Sequence, residues 1–309
     1  MKTYTGIDVS KAKLDICVKD TEGTILHSQT FPNTDKGVDM LQKKIPKESK
    51  IVIESTSHYH WLVCLKLSEL LFKVSIINPL LTKKYERSSI RGAKTDTIDA
   101  RRLADIARIE SDLTPFFDSK EVLTKKKYKS LLAKLSQVRQ ELKRSHKSAL
   151  EALETVGVSV DFTMIEKAIH AIESAIDSLK KILEENADAL AKKTAEVPGV
   201  SLFQATVLST AISGRTFQTR EELVAFFGLD VRKRESGVWR GKECISKRGN
   251  PFYRKILFQL GWSLKTHNEK YRTYYENMMN RGKHYFTCIL ATARKFLREF
   301  FRLYKEISL

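Results

Sequence analysis

The chain has 309 residues, enough for two domains with full cores, and its 55 Lys and Arg outweigh 37 Asp and Glu to give a formal net charge of +18. That balance points to a polyanionic partner, nucleic acid above all. No stretch approaches the roughly 18 apolar residues of a membrane span, no signal-type apolar segment opens the chain, and Cys17, Cys64, Cys244 and Cys288 form no C-x-x-C pair, so neither a zinc site nor a disulfide framework is indicated and the expectation is a soluble protein of a reducing cytoplasm.

TYTGIDVS, KLDICVKD and TILHSQTF are β-rich runs parted by SKA and by the turn-forming TEG at Thr21 to Gly23, the pattern of three antiparallel strands. Val38, Met40, Leu41 and Ile45 predict a short helix stopped by Pro46. KIVIEST reads as a buried strand, HWLVCLKLSELLF as a helix with a broad apolar face, and KVSIINP as a strand ended by Pro79. TDTIDARRLADIA then starts another helix. The order β-β-β-α-β-α-β-α is that of the ribonuclease-H-like fold.

Four carboxylates fall at telling places in that order. Asp8 alternates with apolar Ile7 and Val9 on the first strand, so its side chain leaves the opposite face from theirs. Glu54 closes the fourth strand, which runs parallel beside the first in such a fold. Asp96 and Asp99 are three apart at a helix start and share a helix face. Folding would gather four hard oxygen donors around one or two divalent ions, Mg²⁺ or Mn²⁺, with two expected. Each residue also has a plain structural reading: Thr95 or Asp96 as an N-cap with Asp99 in the first turn, worth about 1 kcal/mol, and Glu54 as a strand-end charge. Asp15, on the neighbouring strand, is a weaker rival and is left outside the set.

Residues 119–193 lack Pro and are rich in Leu, Ile, Ala, Lys and Glu. Leu131, Leu135, Val138 and Leu142, then Ile165, Ile169, Ile172, Ile176, Leu179 and Leu183, keep a heptad-like beat, predicting two long helices joined near Val156 to Asp161. Their seam closes either within one chain or between chains. Lys120 to Lys147 holds ten Lys or Arg against two Glu, a face able to attract phosphates by counterion release or simply a solvated one. Lys125, Lys126 and Lys127 there, with Lys94 and Arg101 flanking the acidic helix start, are candidate nucleic-acid contacts.

After Ala195, VPGVSLFQATVLSTAI carries a Pro-Gly turn between helices, half of a helix-hairpin-helix element or a plain corner. TREELVAFFGLD is a capped helix ended by Gly228. In RKRESGVWRGKECISKRGNPFYRKILFQL, Ser236 precedes Gly237 in a loop with Arg232, Lys233, Arg234 and Arg240, followed by Lys242, Lys247 and Arg248. Cations of that kind stabilise charge building on phosphoryl oxygens during attack by a hydroxyl. From spacing alone Ser236 is either such a nucleophile or a turn serine in a phosphate-binding loop. In the tail, Phe286, Ile289, Leu290, Ala293, Phe296, Leu297 and Phe300 follow helical spacing and are expected in a core, with Arg294, Lys295 and Arg298 available to phosphate.

GIDVSK, IVIEST, KTDTIDA, FFGLD, ESG and ISKRGN, in this order and at these distances, resemble the DEDD-type transposases of the insertion-sequence-110 group, relatives of the Piv and MooV invertases. The resemblance spans nearly the whole chain, although Asp230-Val231-Arg232 and Phe252-Tyr253-Arg254 depart from the family's usual residues after the GL and RGN strings. It implies a RuvC-like metal-carboxylate domain over residues 1–118, a helical coiled-coil segment over 119–193 and a mostly helical transposase domain over 194–309. By the same likeness Asp8, Glu54, Asp96 and Asp99 match the acidic tetrad and Ser236 the nucleophilic serine. The family's DNA joining through a serine-phosphate intermediate, its bridge RNA pairing with donor and target DNA, and its dimeric or tetrameric assemblies, in which one subunit's acidic site meets another's serine, become expectations for this chain in the bacterial cytoplasm, nucleoid-associated when bound to DNA. Two other readings compete: a RuvC-like structure-selective endonuclease activating water, and a non-catalytic nucleic-acid-binding protein.

Overall fold

The computed structural model describes residues 2–55, 57–79, 82, 85, 96–111, 113, 115–116, 118–232, 235–236, 239–240 and 244–308, with the backbone alone at 96–98, 232, 235–236, 239–240, 244 and 308. Contacts divide the chain into two compact units, Met1–Leu123 and Thr124–Leu309. The helical stretch 119–193 falls largely in the same unit as the residues after it.

In the first unit the strands are β1 (Tyr4–Val9), β2 (Lys13–Lys19), β3 (Ile25–Pro32), β4 (Lys50–Glu54) and β5 (Lys73–Ile77). They form one sheet in the order β3-β2-β1-β4-β5. β2 runs antiparallel to both β1 and β3, whereas β4 runs parallel to both β1 and β5, which is the ribonuclease-H-like arrangement expected from the element order. Period-two alternation gives each face its own cover. Ile7, Val9, Leu14, Ile16, Ile51 and Ile53 pack against α1 (Asp35–Gln42) and α2 (Trp61–Glu69) through Val38, Leu41, Val63, Cys64 and Leu67. On the opposite face Cys17, Val52 and Ile77 meet α3 (Asp96–Ile109) through Ala100, Leu103, Ala104, Ile106 and Ala107. The Thr34 hydroxyl caps α1 by accepting from the Gly37 N–H, a contact that commonly contributes about 1 kcal/mol.

The second unit opens with two long helices, α4 (Lys120–Thr155) and α5 (Thr163–Glu185). They meet within the chain: Leu132 packs on Leu179 and Leu183, and Lys143 Nζ donates to Glu173 at 2.5 Å. Leu131, expected on the seam, is 48% exposed, and Leu132 is buried in its place. One residue is about 100° of helix, so the Leu-Leu pair let a heptad spacing start one position early. Helices α6 (Ala189–Ala195), α7 (Leu202–Ile212), α8 (Arg220–Phe226), α9 (Pro251–His267), α10 (Glu269–Asn280) and α11 (Tyr285–Ser308) enclose a core that includes Phe227, Leu257, Tyr271, Phe296 and Phe300. Ser201 and Gln204 form a capping box at the start of α7. Phe286 is 56% exposed, against the expectation for the tail. It sits in the first turn of α11, where its ring stacks on His284 and lies beside Phe258.

Among the described residues no helix is long and apolar enough to cross a membrane, and Cys17, Cys64 and Cys288 are buried free thiols.

Candidate active site

In the β1–β4 register Ile7 stands beside Ile53. Advanced by one residue, it brings Asp8 and Glu54 level on neighbouring parallel strands, so both side chains leave the same face. That face is the one α3 covers. A Cβ on Gly6 would run into the backbone of Ala100 and Ala104 and come within 2.7 Å of Leu103 Cβ, so only glycine allows the helix this near the strand. Tyr4, two residues earlier, packs on the cluster of Leu103, Ile106 and Ala107, so the helix runs back toward its own start as β1 advances toward Asp8. With about 3.3 Å per strand residue and 1.5 Å per helix residue, the step from Gly6 to Asp8 covers about four helix positions, from the level of Ala100–Ala104 to that of Asp96–Ala100.

Glu54 and Asp99 each accept a hydrogen bond from a neighbouring side chain. Glu54 Oε2 accepts from Thr82 Oγ1 at 2.5 Å. Asp99 Oδ1 accepts from Arg102 Nη1 at 3.1 Å, within one turn of α3. Asp15 stands directly across from Asp8 in the β1–β2 pairing, shares its face, is only 5% exposed and accepts a hydrogen bond from Thr30 Oγ1. The signal for it was available in KLDICVKD, a charge within an apolar strand, but its position opposite Asp8 depends on strand register. The rim is tied together by Asn33, whose Nδ2 donates to Ser10 O at 2.9 Å and Tyr59 O at 3.1 Å. It fastens the turn after β1 to the segment after β4.

Asp8 and Glu54 are hard oxygen donors that suit Mg²⁺ or Mn²⁺. Among the described residues no three His, Cys, Asp or Glu side chains already form a group able to hold a metal ion. The Asp96 side chain lies outside the described atoms, and the Asp99 carboxylate is turned to Arg102. The donor chemistry fits a divalent cation, provided that the helix-borne carboxylates join the strand pair.

In the second unit Ser236 belongs to the short strand β7 (Glu235–Ser236), which pairs with β8 (Trp239–Arg240), Ser236 opposite Trp239. In a separate two-stranded sheet β6 (Val231–Arg232) pairs with β9 (Cys244–Ile245). The FFGLD and KRGN strings are pressed together: a Cβ on Gly228 would lie 2.6 Å from Gly249 N, and one on Gly249 would lie 2.6 Å from Phe226 O. Ser246 reinforces the join, its N–H donating to Asp230 O at 2.8 Å and its hydroxyl to the Asp230 carboxylate. Of the basic candidates, Arg101, Lys127, Lys247 and Arg248 are exposed and Lys125 and Lys126 half-buried. Lys94, Arg234 and Lys242 lie outside the described residues, and at Arg232, Ser236 and Arg240 only the backbone is described.

Against known proteins, a family profile described as transposase matches residues 5–156, and one described as transposase, IS116/IS110/IS902 family, matches residues 191–276. The pilin gene-inverting protein of Moraxella bovis is 27% identical over an alignment of 318 positions, covering 96% of this chain and 94% of that protein. The uncharacterized 43.6 kDa protein of insertion element IS110 from Streptomyces coelicolor is 25% identical over 145 positions, 47% of this chain and 35% of that protein. Among solved structures, Thermus thermophilus RuvC is similar at a TM-score of 0.29 and 15% identity, covering 37% of this chain and 99% of that one.

Proposed function

From the premise that this chain belongs to the IS110 family of transposases, and so is an enzyme of DNA recombination, we propose that it cuts and rejoins DNA through a divalent-metal centre of Asp8, Glu54, Asp96 and Asp99 and a covalent intermediate on Ser236. The observation that carries the first half is the pairing of Ile7 with Ile53, which puts the next residues, Asp8 and Glu54, on the sheet face covered by the helix that begins at Asp96. A divalent cation held by these carboxylates would polarise the scissile phosphate and stabilise the departing oxygen. The chain's own groups do the rest. Thr82 holds one Glu54 oxygen in place, and Asn33 fixes the rim segments.

The Ser236 hydroxyl attacks phosphorus: an Oγ–P bond forms, a P–O ester bond to sugar breaks, the hydroxyl proton leaves to solvent or a base, and the departing sugar oxygen takes up a proton. The phosphoserine ester conserves the bond for rejoining, since a second sugar hydroxyl attacks the same phosphorus and releases Ser236. Arg232, Arg240, Lys247 and Arg248 neutralise phosphate charge around this step. The acidic centre and the serine belong to different units of the chain, and in the proposed assembly, a dimer or tetramer, a complete site joins the centre of one copy to the serine of another. A structured RNA supplies sequence choice by base pairing, while basic side chains such as Lys125, Lys126 and Lys127 hold backbones.

The test is to incubate the protein with Mg²⁺, the transcript of its flanking non-coding DNA and a suicide DNA substrate. A protein-DNA adduct is expected, lost in Ser236→Ala; Asp8→Asn is expected to abolish both adduct and cleavage. Cleavage that persists without any adduct would replace the serine step with hydrolysis by water. Product yields unchanged by Asp8→Asn would remove the metal centre, and equal yields without the transcript would remove the guide.

A further inference from the structure

Between α4, α5, the start of α7 and α9 lies a cavity of about 330 Å³, whose lining includes the cations Arg139, Lys180 and Lys255 and the aromatic residues Phe203 and Phe252. None of the described residues that line it is acidic. The nearest counter-charges sit outside its wall, Glu173 at 3.9 Å from Arg139 Nη1 and Asp177 at 2.9 Å from Lys180 Nζ. Lys255 is exposed and makes no ion pair among the described residues. The volume is at the lower end of small-ligand pockets, about 300–1,000 Å³: room for one nucleotide unit and far too small for a duplex.

We propose that this cavity receives one nucleotide of a single strand, with its phosphate among Arg139, Lys180 and Lys255 and its base against Phe203 and Phe252. The two kinds of side chain in the lining match the two parts of such a ligand. The cations take an anionic backbone, while the aromatic rings take a base of any identity, because every base presents a π-face. Neutral polar side chains of the lining, Ser136 and Gln259, give donors and acceptors for base edges. All the lining residues belong to the second unit, so the site works without the metal centre. A strand threaded here is held in register while the chemistry proceeds elsewhere on the chain. The proposal rests on the nucleic-acid reading above and adds to it a place where an unpaired base is held.

The experiment measures binding by the full chain, without divalent metal, to labelled oligothymidylate and oligouridylate of about a dozen nucleotides, within the usual site-size range, and to a duplex of equal length. Phe203→Leu keeps an apolar side chain where Phe203 meets the core, and its melting curve checks the fold. It is expected to weaken single-strand binding about tenfold and to leave duplex binding within about twofold. Lys180→Ala and Lys255→Ala are each expected to lower the single-strand salt slope by about 0.7; Lys181→Ala, on the same helix but outside the cavity, is expected to leave single-strand affinity within about twofold. The strand that loses more affinity, DNA or RNA, identifies the occupant. Equal losses for duplex and single strand, or no loss in any cavity variant, would overturn the proposal. Because no cleavage is scored, that failure is separable from a failure of the serine or metal steps.

Discussion

The Asp99 carboxylate accepts from Arg102 at 3.1 Å, so a divalent cation entering beside Asp8 and Glu54 competes with a guanidinium for it. Arg102→Ala is therefore expected to tighten Mn²⁺ binding several-fold in titration calorimetry, and Asp99→Asn to weaken it; if neither variant moves the affinity, Asp99 is no ligand. Gly6 acts through what it lacks. A methyl group there meets the α3 backbone, and neither a strand in a five-stranded sheet nor a helix packed on it yields easily. Gly6→Ala is expected to destabilise the chain by about 1–3 kcal/mol, the usual range for overpacking, read as a lower urea midpoint. Cleavage should fall further than stability alone requires, because α3 carries two of the proposed ligands.

At the scale of elements, α10 is fastened to α11 through Glu299, which accepts from Lys270 Nζ at 2.7 Å and from the Tyr271 hydroxyl at 2.6 Å. Burial alone would raise the Glu299 pKa, but the hydrogen bonds from Lys270 and Tyr271 outweigh it and hold the carboxyl below its usual value. Burial, with the Glu299 contact, pushes the Tyr271 phenol up, so that group stays a donor at neutral pH. A carboxyl whose folded pKa is lowered stabilises the fold above its unfolded pKa, and that contribution is lost as pH falls through the folded value. Glu299→Gln is accordingly expected to cost about 1.5–3 kcal/mol at neutral pH, as for hydrogen bonds to charged groups, and to flatten the acid limb of a plot of melting temperature against pH. An unchanged acid limb would mean that other carboxylates govern acid unfolding.

For the whole molecule, the excess of 18 positive charges sets the salt dependence of its encounter with DNA. With six to ten phosphate contacts, affinity is expected to drop about 10³–10⁵-fold between 50 and 200 mM salt. A shallow slope in a filter-binding series would show that most of these charges face away from nucleic acid. Much of the architecture was legible in residues 1–118, because strand and helix periods are local properties: Ile7, Asp8 and Val9 alternate whatever the rest of the chain does, and the run of turn and apolar signals orders the elements. Heptads were legible on α5, where Ile169, Ile176, Leu179 and Leu183 are buried, and misread by one position at Leu131. Phe286 followed helical spacing, but its place in the first turn of α11 takes it off the core. Composition and motif order determined the family, the ribonuclease-H-like strand order and the polyanionic partner, since each is written in residues near one another along the chain. Only tertiary structure decided that Asp15 stands across from Asp8, that Gly6 lets α3 approach β1, and that charged and aromatic side chains from four helices line one cavity. Register and helix approach are set by packing between segments far apart in sequence, and no local period encodes them.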